Sequence, residues 1–156
     1  MIVTEVSGSV HEDPAYARAH RERVRLPVAR LSQRIQRLTT DHGREFGLRL
    51  PVGAPDLREG DVLIAEEGNV VVVEVDSSDV IVIAPRTIGE ALFAAHSLGN
   101  RHLPAQFFDD ASDFGAEVMV CQYDHTVEHF LRDHGVPFTR ETRTMEVPFR
   151  HAEHTH

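Results

Sequence analysis

The sequence is short of sulfur. Cys121 is its one cysteine, which excludes an intrachain disulfide framework and any cysteine-rich zinc ribbon, and fits a reducing compartment. Lysine is absent, since all 16 basic residues are arginine; codon bias explains this, and it carries no functional weight. Positive charge is outnumbered, 16 Lys+Arg against 25 Asp+Glu, for a formal net charge of −9. Such a surface repels polyanions, so no nucleic acid and no anionic membrane is expected as a partner. No apolar run approaches the roughly 20 residues that span a bilayer. The opening MIVTEVSGSVHED has neither the basic region nor the apolar core of a signal peptide, and the expectation is a cytoplasmic protein. The glycines are scattered, with no phosphate-cradling loop, no GxGxxG and no GxSxG elbow, which sets aside ATPase and serine-hydrolase chemistry. What remains, 156 residues of which 41% are hydrophobic, is enough chain for a real core in one domain or two small ones.

The pattern changes near residue 76. Before it, strand and turn signals dominate. Residues 45–50 alternate, with Phe46, Leu48 and Leu50 on one face and Pro51 closing the run, and residues 62–65 and 70–73 flank a Glu66-Glu67-Gly68-Asn69 turn. Val28, Leu31, Ile35 and Leu38 have helical spacing, yet residues 35–40 run into an Asp41-His42-Gly43 turn, so a short helical turn followed by a strand is expected. After the polar break Asp76-Ser77-Ser78-Asp79, residues 80–84 read as a buried strand. Thr87 then caps a helix, with Glu90 at the capping-box position, an apolar stripe of Ile88, Leu92, Ala95 and Leu98, and Gly99 as its stop. Strands are expected at 105–108 and 117–122, a helix from Asp124 with Val127, Phe130 and Leu131 inward and Gly135 at its end, and a last strand at 138–142. The order β-α-β-β-α-β is that of a ferredoxin-like domain. The expected class is α+β: a β-rich domain over residues 1–76, a ferredoxin-like domain over 77–146, and a polar, mobile, histidine-bearing tail over 147–156.

Histidine is the anomaly, with eight of 11 at or after position 96. Protonating all of them would move the formal charge from −9 to +2, near an imidazole pKa of about 6.5. His11, His20 and His42 sit in polar, loop-like surroundings and read as surface residues. His125 and His129 share a helix face at i, i+4 spacing, which a metal can bridge; for His129 and His134 a solvated face is the better reading. His102 differs, because it follows the helix stop directly, and a ligand at such a joint is held by structure on both sides. His151, His154 and His156 lie on a polar tail whose backbone lets several imidazoles reach one ion. Imidazole suits Ni, Zn and Cu.

Residues 41–53, DHGREFGLRLPVG, then Leu57-x-x-Gly60-Asp61-Val62-Leu63, Leu98-Gly99-Asn100-Arg101-His102, Tyr123-Asp124-His125 and Pro148-Phe149 before a histidine-bearing end resemble, in order and spacing, the urease accessory proteins of the UreE family. The match covers nearly the whole chain. The resemblance implies a nickel metallochaperone rather than an enzyme: a cytoplasmic homodimer that delivers Ni(II) to apo-urease, working with the urease maturation GTPase and other urease accessory proteins. It implies an N-terminal domain that holds peptides or partners and a metal-binding second domain. His102 from both subunits would bind nickel at the dimer interface, where a two-fold axis doubles one imidazole without further sequence. A secondary site is implied around His125, and the tail, through His151, His154 and His156, can complete the shell; Zn(II) and Cu(II) suit the same sites.

Three positions depart from the family pattern. Ser97 stands where some relatives have histidine, and His96 is displaced by one residue, about 100° around a helix. Tyr123 replaces a histidine two residues before His125, which weakens the secondary site. Three tail histidines instead of a long run favour transfer over bulk storage. Two other classes compete. A pH-responsive protein-interaction module would use the histidines as charges and change its association with pH in the absence of metal. A metal-dependent hydrolase is less favoured, since no carboxylate stands at ligand spacing.

Overall fold

The computed structural model describes residues 1–145, 148 and 149. They divide into two compact units: residues 1–77 with Thr144, Met145 and Pro148, and residues 78–143 with Phe149. The tail expected to be mobile, with His151, His154 and His156, lies outside the described residues.

In the first unit, alternation and β-branched runs produce strands β1 (Ile2–Val3), β2 (Gly8–Ser9), β3 (His20–Leu26), β4 (Ile35–Thr39), β5 (Glu45–Arg49), β6 (Asp61–Glu66) and β7 (Asn69–Val75). They form two sheets, ordered β1-β5-β4 and β2-β6-β7-β3. The hairpins β4–β5 and β6–β7 are antiparallel, whereas β3 runs parallel to β7 and β1 parallel to β5. In β5 the period of two puts Phe46 and Leu48 inside with Glu45 and Arg49 in solvent. Val70 to Val73 of β7 are all buried, so both faces of this strand are covered there. Val28 and Leu31 belong to a single 3-10 turn, Val28–Arg30 and its cap, and both are buried. The strand that follows takes over the pattern, burying Leu38 and leaving Ile35 66% exposed.

The second unit contains β8 (Ser78–Ile83), α1 (Ile88–Gly99), β9 (Ala105–Phe108), β10 (Val118–Gln122), α2 (His125–Asp133) and β11 (Phe138–Arg143). Its sheet is ordered β11-β8-β10-β9 with every neighbour antiparallel. Each helix therefore links two strands across the one that lies between them. Ile81 and Ile83 of β8 and Met119 and Cys121 of β10 share a face, and Ala94 and Leu98 of α1 and Val127 and Leu131 of α2 pack on it. The molecule is thus a two-unit α+β protein, mostly sheet with two α-helices among the described residues.

Three local expectations are corrected. Ile88 and Leu92, assigned to the inward stripe of α1, are 80% and 66% exposed. Leu98 of that stripe does face the sheet, and Ala94 joins it in the core in place of Ile88 and Leu92. Glu90 completes no reciprocal capping box: Thr87 Oγ1 accepts from Glu90 N–H at 3.0 Å, but Glu90 Oε1 accepts from the N–H of Arg86, at 2.8 Å. The Arg86 guanidinium holds that carboxylate, lowering its pKa and anchoring it one residue before the cap. Finally, Ser78 and Asp79, placed in a polar break, are the first residues of β8, paired with Arg143 and Thr142. No helix among the described residues is long and apolar enough to cross a membrane.

Candidate metal centre

Helix α1 ends at Gly99, as expected, but Gly99 is not the residue at which the backbone turns left-handed. Asn100 N–H donates to the His96 carbonyl at 3.0 Å, Arg101 N–H to Leu98 at 3.1 Å and His102 N–H to Gly99 at 2.9 Å, so the last turns tighten. The reversal falls on His102, at φ 56 the one non-glycine residue with positive φ among the described residues. A left-handed backbone costs a non-glycine residue about 1–2 kcal/mol, and histidine is among the types that tolerate it best. Leu98 is fully buried and Leu103 packs against the same core. His102 itself is exposed, an imidazole presented from a turn pinned at both ends.

Helix α2 supplies the second group of histidines. Asp124 caps it, its Oδ1 accepting from Thr126 N–H at 2.8 Å, and the amide and hydroxyl of Thr126 hold the carboxyl below the usual carboxylate range. His125, His129 and Asp133 follow at four-residue steps, with His129 Nε2 3.2 Å from Asp133 Oδ2. Together with Arg101 and His134 they border a shallow hollow of about 320 Å³. Arg101 reaches it from the turn that carries His102, its guanidinium carbon 5.2 Å from the Phe130 ring centroid. His134 packs tilted against Phe130 at 4.6 Å and edge-on against Phe93 at 5.1 Å, and serves as an aromatic neighbour.

The fold does not collect these residues into a preformed cage. Among the described residues no group of three or more His, Cys, Asp or Glu side chains is placed to hold a metal. Tyr123 is covered, with the Arg140 guanidinium 3.5 Å above its ring. Arg140 in turn grips Asp79 at 3.1 and 2.7 Å and holds that carboxyl below its ordinary range. Cys121 is fully buried in the sheet, and burial, with Asp124 nearby, pushes its thiol up to about 12. A thiol so placed offers no thiolate to a metal.

The first unit holds two features the sequence did not separate from its surface. His20 and His42 are not loop residues without partners: one opens β3, the other sits in the β4–β5 turn, and their Nε2 atoms are 3.3 Å apart. A groove of about 890 Å³ runs between residues 4–12 and 50–61, with Val6, Leu50, Pro51 and Pro55 as apolar lining.

The fold and the site define an α+β protein of two units that carries exposed imidazoles at the end of α1 and along α2. Comparison with known proteins is more specific. Residues 3–76 match the N-terminal domain and residues 78–156 the C-terminal domain of the UreE urease accessory protein. The urease accessory proteins UreE of Paenarthrobacter aurescens and Micrococcus luteus are each 59% identical to this chain, and that of Corynebacterium efficiens 49%, with both chains covered in full in every case. The chain belongs to the UreE family of urease accessory proteins.

Proposed function

We propose that this chain is a cytoplasmic nickel carrier of urease maturation, which holds Ni(II) as cargo and passes it toward apo-urease without catalysing a reaction. The observation that carries this is His102: an exposed imidazole at φ 56, in a turn fixed between Leu98 and Leu103. One imidazole is a poor site, and two copies of the chain about a two-fold axis provide two at the same place. The homodimer is therefore part of the site. His125, and His151, His154 and His156 of the tail, supply further imidazoles, and Zn(II) and Cu(II) compete for the same donors.

Division of labour follows the two halves. The β-α-β-β-α-β order and the sheet order β11-β8-β10-β9 support a ferredoxin-like metal domain over residues 77–146, with 147–156 as its tail. The groove along residues 4–12 and 50–61 supports partner binding over 1–76, the partners being the urease maturation GTPase and other urease accessory proteins. Transfer is ligand exchange, in which neutral imidazoles leave the ion one at a time.

Calorimetric titration with Ni(II) tests this. The parent chain should fill its tightest site with one ion per two chains, and His102→Ala should lose that site while keeping its circular dichroism spectrum. Unchanged tight binding in the folded variant overturns the assignment.

A further inference from the structure

We propose that His20 and His42 form a second metal site, in the first unit, which takes a divalent first-row cation of tetrahedral preference, Zn(II) being the type, through their two Nε2 atoms. It is independent of His102, and nothing in the nickel-carrier role requires it.

The turn that carries His42 is built to hold one shape. Thr40, 5% exposed, receives the amides of His42 and Arg44 on its hydroxyl at 3.3 and 3.1 Å, and its carbonyl takes Gly43 N–H at 2.9 Å. Gly43 has φ 81, a conformation that glycine adopts without strain. The turn is then tied to β3 from both directions: Asp41 N–H donates to the Arg23 carbonyl at 2.9 Å, and Arg23 N–H to Asp41 Oδ1 at 2.9 Å. That two-way clamp sets where the turn meets the strand and brings His42 to His20, 22 residues earlier.

The imidazoles are also oriented as ligands are. His42 Nδ1 is 2.8 Å from Asp41 Oδ1, so in the neutral ring an Nδ1–H donated to the carboxylate leaves Nε2 as the nitrogen that can ligate. This is the carboxylate–histidine arrangement that fixes tautomer and ring direction around metals. With a metal–nitrogen distance of ~2.1 Å, two tetrahedral ligands lie ~3.4 Å apart and two at a right angle ~3.0 Å apart; the observed separation is 3.3 Å. The ring centroids are 5.1 Å apart and the planes nearly perpendicular, at 79°. Two rings ligating one ion at tetrahedral angles would place their centroids ~5 Å apart. Stacked rings would be closer. A proton shared between the two nitrogens and a bound ion would occupy the same space, so metal binding displaces that proton to solvent. Glu22 adds negative charge on the same face of β3, its Oε2 buried and without a hydrogen-bond partner among the described residues. Water fills the remaining positions.

The test is a Zn(II) titration of the full-length chain followed by two-dimensional imidazole nitrogen NMR. His20 and His42 Nε2 should shift together, with one midpoint and one ion per chain. His20→Ala and His42→Ala should each abolish the shift at the surviving partner. Asp41→Asn should weaken binding about 10–100-fold, as loss of an orienting carboxylate does. His102→Ala should leave the midpoint unchanged, so this site and the nickel assignment can fail separately. If the two resonances stay put at saturating Zn(II), or move with different midpoints, the site does not exist; that readout on the parent chain decides the matter even if a variant misfolds.

Discussion

Substituting His102 by alanine and by glycine separates what its backbone does from what its side chain does. Both changes remove the imidazole and every contact it makes, so the difference between the two variants reports the conformation at φ 56. At an ordinary position glycine is the less stable choice, by about 0.4–1 kcal/mol, because its unfolded chain has more freedom to lose. At a left-handed position alanine carries the roughly 1–2 kcal/mol that L-residues suffer there. The second effect wins by about 0.5–1 kcal/mol, which for a chain of this size is a Tm higher by ~1–4 °C in His102→Gly than in His102→Ala. Differential scanning calorimetry of metal-stripped protein measures this directly. Nickel titration of the same samples should show the tightest site gone from both. If alanine matched or exceeded glycine in Tm, the left-handed turn would not exist in solution and the fixed presentation of His102 would lose its basis.

Two further outcomes follow from the second unit. Cys121, with its thiol pushed up to about 12, should be thiolate in only about one molecule in 10⁴ at pH 8, against roughly a quarter for an unhindered cysteine of pKa ~8.5; a disulfide reagent should label the denatured chain at once and the native chain more than ~1000-fold more slowly, and fast native labelling would refute its burial. Arg140→Gln should raise the Asp79 pKa toward ~3.9, the ordinary aspartate value. Because the folded pKa is the depressed one, the pair stabilises the fold above the unfolded value and that contribution fades as pH falls through the folded one. The stability gap between parent and variant should accordingly be largest near neutrality and close below about pH 4, and a gap that widened on acidification would contradict the ion pair.

Local signals were the legible ones. Phe46, Leu48 and Leu50 declare their strand by period two, the Glu66-Glu67-Gly68-Asn69 turn declares its hairpin, and Gly99-Asn100-Arg101-His102 places a histidine at a helix end, all within a few residues of chain. The face of α1 departs from the expected stripe at Ile88 and Leu92, though not at Leu98, for a physical reason. Ile88 and Leu92 are more apolar than Ala94, and a helical stripe drawn from hydrophobicity alone does not know that the β8–β10 face accepts a close-packed alanine. Gly99 does end α1, but the left-handed residue that glycine usually supplies at such an end comes three residues later, at His102. The His20–His42 pair was invisible for a different reason. It depends on the register between β3 and a turn 22 residues away, fixed by backbone bonds between Arg23 and Asp41, and no periodicity in either segment encodes that meeting.

The donor chemistry of the described residues bears on how a carrier could let its cargo go. The one thiol is sealed in the sheet with its pKa raised. The carboxylates at the two ends of α2 are already engaged: Asp124 caps the helix and Asp133 faces His129. In the proposed carrier the donors on the described surface are the exposed imidazoles of His102 and His125, on separate elements, and exposed groups can detach without stranding a buried charge. Site rigidity at His102 is purchased in backbone conformation instead of in a charged cage. Affinity in the proposed carrier is then a matter of how many imidazoles are assembled at one moment, two from the dimer axis and more from His125 and the tail. It can be lowered in steps by a partner that draws one of them away.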